Sequence, residues 1–103
     1  MIITNAFSLN MLAYLPATVR VEEVSAETAR EYAAKAESAV GHADTAAVFS
    51  DVLGVPVECR RVTVSMKKGD TALVGQYTGP RLPEGATKLP EGATIKWLLV
   101  TLS

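Results

Sequence analysis

Two hydrophobic periods alternate along this chain. Met1-Ile2-Ile3 is a short apolar run ending at Thr4-Asn5, which predicts a first strand over residues 1–5. Asn5-Ala6-Phe7-Ser8 then carries turn and cap chemistry, because Asn and Ser side chains accept hydrogen bonds from free backbone N–H groups. A short helical piece through Leu9-Asn10-Met11-Leu12 is expected next, stopped before Pro16. Val19, Val21 and Glu23 alternate with Arg20 and Glu22, which predicts a second strand. From Ser25 the spacing lengthens. Ala29, Ala33, Ala36 and Val40 recur on one helical face, so a helix is expected over 25–40. Ser25 would cap it, Glu27 suits its positive end, and Glu31 and Lys35 form a supportive i,i+4 pair. Gly41 would close it in a left-handed conformation. A second helix, capped by Asp44 or Thr45, would run to Leu53 before Gly54.

At Arg60 the period becomes two. Val62, Val64 and Met66 face one way while Arg61, Thr63 and Ser65 face the other. Lys67-Lys68-Gly69-Asp70 reads as a turn and Thr71–Tyr77 as a returning strand, so the pair predicts a hairpin. Ile95–Leu102 is apolar on both faces in its middle, which suits a strand inside the sheet. The fold class is therefore α/β: a single domain over 1–103, with a mixed sheet of about five strands flanked by helices. Between the last two strands Leu82-Pro83-Glu84-Gly85-Ala86-Thr87 recurs as Leu89-Pro90-Glu91-Gly92-Ala93-Thr94. Two copies are too few for a solenoid, and their Pro and Gly predict turns in a stiff loop.

Composition narrows the function. Ten Lys and Arg against eleven Asp and Glu leave a formal charge of −1, with none of the basic excess that coating a long nucleic acid requires. The longest strongly apolar patch, Trp97-Leu98-Leu99-Val100, falls far short of a membrane span, and the N-terminus lacks the pattern of a signal peptide. A soluble, cytoplasmic protein is expected. Cys59 is the one cysteine and His42 the one histidine, so no intrachain disulfide forms and a metal centre is an unpromising premise.

Several residues carry candidate chemistry. His42 lies between Gly41 and the start of the second helix, where free N–H groups and the helix dipole favour an anion. Such a place suits a proton donor that works once a phosphate is bound, although a structural or merely exposed histidine fits as well. Asn5, Ser8 and Asn10 offer short polar groups at a strand-to-helix turn, suited to phosphate or ribose and equally to helix capping. Arg81 can grip a phosphodiester with two donors. Glu84, three residues on, can orient that Arg or accept a proton; a plain surface ion pair is the alternative. Arg61 on its polar face has the same two readings.

At these residues the sequence resembles the ring nucleases of viral type III anti-CRISPR proteins and their bacterial relatives. Thr4-Asn5-Ala6-Phe7-Ser8-Leu9-Asn10-Met11-Leu12 is similar to the family's N-A-F-S-x-N-M-L, and Gly41-His42-Ala43-Asp44-Thr45 to its G-H-x-x-T. Arg61-Val62-Thr63-Val64, followed by Met66 and Gly69-Asp70, resembles its R-V-x-V hairpin, and Arg81-Leu82-Pro83-Glu84-Gly85 its R-L-x-E-G. The four motifs keep family order across residues 4–85. Two departures stand out: Asp44 occupies a position where the family often has a small hydroxyl residue, and the Leu-Pro-Glu-Gly-Ala-Thr repeat replaces a longer helical stretch.

The resemblance implies a two-fold homodimer enclosing cyclic tetra-adenylate, the second messenger of type III CRISPR defence, and cleaving it to linear di-adenylates. Each substrate 2′-hydroxyl attacks its own adjacent phosphorus and leaves a 2′,3′-cyclic phosphate, so no metal or other cofactor is implied. His42 would be the general acid, Arg81 would hold the scissile phosphate and Glu84 would orient its neighbours. Asn5, Ser8, Asn10, Thr45, Arg61 and Gln76 would line the nucleotide pocket. A non-catalytic protein that retains the ring, as sponge or sensor, is the alternative.

Overall fold

In the computed structural model, which describes residues 1–103, eight elements follow in order. They are β1 (Ile2–Thr4), a 3-10 turn (Leu9–Met11), β2 (Val19–Val24), α1 (Ala26–Ala33), β3 (Glu37–Ser38), α2 (Ala43–Leu53), β4 (Thr71–Thr78) and β5 (Thr94–Leu102). The strands form one mixed sheet in the order β2-β5-β4-β1-β3. β1 runs parallel to both β3 and β4, while β5 is antiparallel to β4 and β2. The α/β class, a mixed sheet of five strands and the interior place of the last strand are as the patterning predicts, although one of the five is not the strand expected.

Alternation along β4 and β5 divides the core between the two faces of the sheet. Leu73 and Trp97 point to the helix side, where they meet Ile3, Ala29, Ala33, Val40, Ala46, Phe49, Leu53 and Val57. Ala72, Val74, Val100 and Leu102 point the other way, under Met66 and the partly buried Phe7, Met11 and Leu12. Phe49 and Trp97 meet edge to face, with ring centroids 5.0 Å apart. This pair explains a glycine inside a strand. A Cβ on Gly75 would lie 2.5 Å from Phe49 Cζ and 2.6 Å from Trp97 Cζ3, so only hydrogen fits there.

Two stretches depart from the expected elements. α1 stops at Ala33, not at residue 40, and Glu37–Ser38 become the edge strand β3. The reason is the short buried strand β1, whose backbone groups need partners on both sides. The Glu37 amide donates to the Met1 carbonyl at 3.1 Å and the Ala39 amide to the Ile3 carbonyl at 2.8 Å. Ser38 reinforces the change, its hydroxyl donating to the Glu58 carbonyl at 2.5 Å and accepting the Val40 amide at 3.2 Å. Lys35 thus lies beyond the helix, and the chain's ion pairs are Arg20–Glu22 and Arg60–Glu37, not Glu31–Lys35. Gly41 has no helix left to close and does not take a positive φ. The buried face expected of residues 29–40 survives even so: Ala29, Ala33 and Val40 are all buried.

Residues 60–66 form no strand, and the hairpin expected there is replaced. Both edges of β4 are already occupied, by β1 on one side and β5 on the other. The segment instead runs outside any strand, fastened by single bridges at its ends, Val40 to Cys59 and Leu12 to Met66. Its alternation is partly realised, since Val64 and Met66 pack on the second core while Val62 is exposed. The turn at 67–70 is present, with the Lys67 amide donating to Asp70 Oδ2 at 3.0 Å.

Candidate functional site

β1, β3 and β4 are parallel, so the chain leaves all three at one end of the sheet. Clefts at the carboxyl ends of parallel strands are where open α/β sheets carry their ligands. Here that end gathers residues 5–10 after β1, residues 39–42 before α2, and the loop between β4 and β5.

α2 sets the centre of the site. Its N-cap is His42, one step ahead of the expected Asp44 or Thr45, and no side chain caps the helix. The His42 carbonyl accepts the Ala46 amide at 3.0 Å, while the exposed imidazole takes no part in the helix. Asp44 and Thr45 follow in the first turn, both half-buried. Uncapped N–H groups and the positive end of the dipole leave this terminus suited to an anion.

Two other segments are tied to it. Arg61 Nε donates to the Gly41 carbonyl at 3.2 Å, which brings the guanidinium beside His42. The approach is close enough that a Cβ on Gly41 would stand 3.1 Å from Arg61 Cγ. Ala39, Gly41, Arg61, Val62 and Thr63 line a shallow depression of about 330 Å³. From the other side, the Gly85 amide donates to Asp44 Oδ1 at 2.9 Å, bringing the loop that carries Arg81 and Glu84 to the same helix terminus. The Tyr77 hydroxyl donates to the Pro80 carbonyl and shapes the turn that leads into Arg81. Arg81 and Glu84 are both exposed, and neither is in an ion pair.

The expected nucleotide-lining residues divide into groups. Asn5 and Gln76 line one depression of about 370 Å³ with Phe7, Val21, Val74 and Leu98, on the sheet face opposite the helices. Ser8 acts as a cap: its Oγ accepts the Asn10 amide at 3.2 Å, and the Ser8 amide donates to Met11 Sδ at 3.2 Å. The Ser8 and Asn10 side chains are exposed. Thr45 and Arg61 sit with His42. Asp44 is the residue whose role the sequence hides, because nothing local shows that its carboxylate serves a turn forty-one positions away.

The family model described as STIV B116-like matches residues 1–95, and the chain belongs to that family. B116 of Sulfolobus turreted icosahedral virus (STIV) has a similar solved structure, with a TM-score of 0.79 and 29% identity over 97% of each chain. No curated protein matches the sequence. No helix of this chain is long and apolar enough to cross a membrane.

Proposed function

We propose that the protein is a metal-independent ring nuclease that cleaves cyclic tetra-adenylate to linear di-adenylates and so switches off type III CRISPR signalling. The observation that carries this reading is the meeting, at the N-terminus of α2, of an imidazole free of any capping role with Arg61 and the Arg81–Glu84 loop. The ordered motifs of the sequence support it as well.

The chemistry asks for little beyond that. The substrate's 2′-oxygen attacks the adjacent phosphorus and sheds its proton to solvent, the P–O5′ bond breaks, and His42 protonates the departing 5′-oxygen. Arg81 and Arg61 offset the charge that builds on the phosphoryl oxygens, with the free N–H groups of α2 behind them. Glu84 orients the arginines. Asn5 and Gln76, beside the apolar side chains of their depression, suit a base and its ribose.

A homodimer completes the account. One His per chain serves a four-fold ring if two chains face it across a two-fold axis, and the arginines of both then converge on one pocket. Leu9 and Leu15, 75% and 77% exposed, lie in the segment that follows β1 and offer apolar area to a second copy.

Labelled cyclic tetra-adenylate incubated with the protein in excess chelator tests the proposal. Di-adenylate ending in a 2′,3′-cyclic phosphate is the expected product. An intact ring that stays bound would instead favour the non-catalytic sponge, and an intact ring that does not bind would remove both readings.

A further inference from the structure

We propose that Asp44 is a positioning residue, a latch that holds the Arg81–Gly85 turn over the N-terminus of α2. The inference rests on the ring-nuclease reading of this site. It starts from the tandem repeat, which provides a comparison inside one chain. Each copy folds into the same turn: the Ala86 amide donates to the Pro83 carbonyl at 3.0 Å and the Ala93 amide to the Pro90 carbonyl at 3.1 Å. The glycines match too, with φ of 79° at Gly85 and 80° at Gly92, the positive value that the third residue of a type II turn requires.

The copies differ in one bond. The Gly85 amide is held by Asp44 Oδ1, whereas no side chain accepts from Gly92. Since the second copy makes its turn without a latch, Asp44 is not what folds the first. It decides where the first copy sits. Between the end of β4 and the start of β5, no other hydrogen bond reaches a sequence-distant part of the chain. Meanwhile α2 goes without a side-chain cap. A carboxylate in the first helical turn ordinarily serves its own helix. Here it reaches across to the loop that carries Arg81 and Glu84 and ties that loop to the first turn of α2.

The latch also gives a reason for a carboxylate beside an anion site. Its charge opposes phosphate binding, while its acceptor oxygen orders the loop. These two effects separate on substitution. Asp44→Asn keeps an acceptor and removes the charge, while Asp44→Ala removes both.

The test combines amide hydrogen exchange with steady-state cleavage of cyclic tetra-adenylate. In the wild type, Gly85 should exchange more slowly than Gly92, and in Asp44→Ala the two rates should converge. Asp44→Ala should also lose kcat by roughly tenfold to a hundredfold, the scale of a misplaced catalytic group, with a smaller change in KM. Asp44→Asn should keep Gly85 protected and hold kcat within about threefold of wild type. Equal exchange of Gly85 and Gly92 in the wild type would overturn the latch. A purely electrostatic Asp44 would shift KM alike in both variants and leave both kcat values intact, which would overturn the positioning role. A protected Gly85 in a wild type that cleaves nothing would overturn the ring-nuclease reading and the catalytic half of this one, leaving the bond itself in place.

Discussion

His42 and Gly75 show how much rests on single side chains, present in one case and absent in the other. His42 stands at the N-cap of α2 but makes no side-chain cap, so its imidazole is free of the helix while its carbonyl begins the helix ladder. Gly75 works by having no side chain at all, because Phe49 and Trp97 fill the volume that a methyl would need. Gly75→Ala should therefore lower stability by about 1–3 kcal/mol, read as a lower midpoint in urea unfolding. A midpoint equal to wild type would mean that the aromatic pair yields without cost. Not all residues were equally legible. The Ser8 cap and the candidate status of His42 follow from local chemistry, whereas the partner of Asp44 lies beyond any window of neighbouring residues.

Among the elements, those governed by local signals were readable and those governed by sheet competition were not. Ser25 accepts the Thr28 amide at 3.1 Å and starts α1 where expected, and Gly54, at φ 72°, ends α2. β5 followed from its two-sided apolar run. The end of α1 had no Gly or Pro to mark it; the unpaired edge of β1 drew residues 37–38 into the sheet. Residues 60–66 had the right period for a strand, but β4, the partner a hairpin would need, is paired on both sides. Hydrogen exchange separates the two accounts of that segment. Amides of residues 61–65, which donate no backbone bond, should exchange within the fastest class, while those of β4 stay protected. Protection across 61–65 comparable with β4 would restore the hairpin.

On the scale of the whole molecule, one feature of the proposed activity exceeds what a single chain offers. To act on the proposed ring, a near-neutral protein of 10.9 kDa would have to hold four phosphates, with one histidine and two candidate arginines, Arg61 and Arg81, from each chain. Two copies double both. Light scattering should give about twice the chain mass at micromolar concentration, and calorimetry with the His42→Ala variant should give one ring bound for every two chains. A monomer that binds one ring per chain would break the symmetric arrangement. The order of the motifs along the chain is what nominated the candidate residues at this scale. The helix terminus on which three of its segments meet became visible once α2, Arg61 and the first repeat were seen together.

In the proposed reaction His42 donates a proton in a cleavage needing no metal. Single-turnover reaction of cyclic tetra-adenylate with wild type and His42→Ala, both in excess chelator, addresses it most directly. The wild type should convert the ring completely to di-adenylate, and the variant should react slower by roughly a hundredfold or more with ring binding retained. Equal rates for the two proteins, or a wild type that binds the ring and leaves it whole, would contradict it.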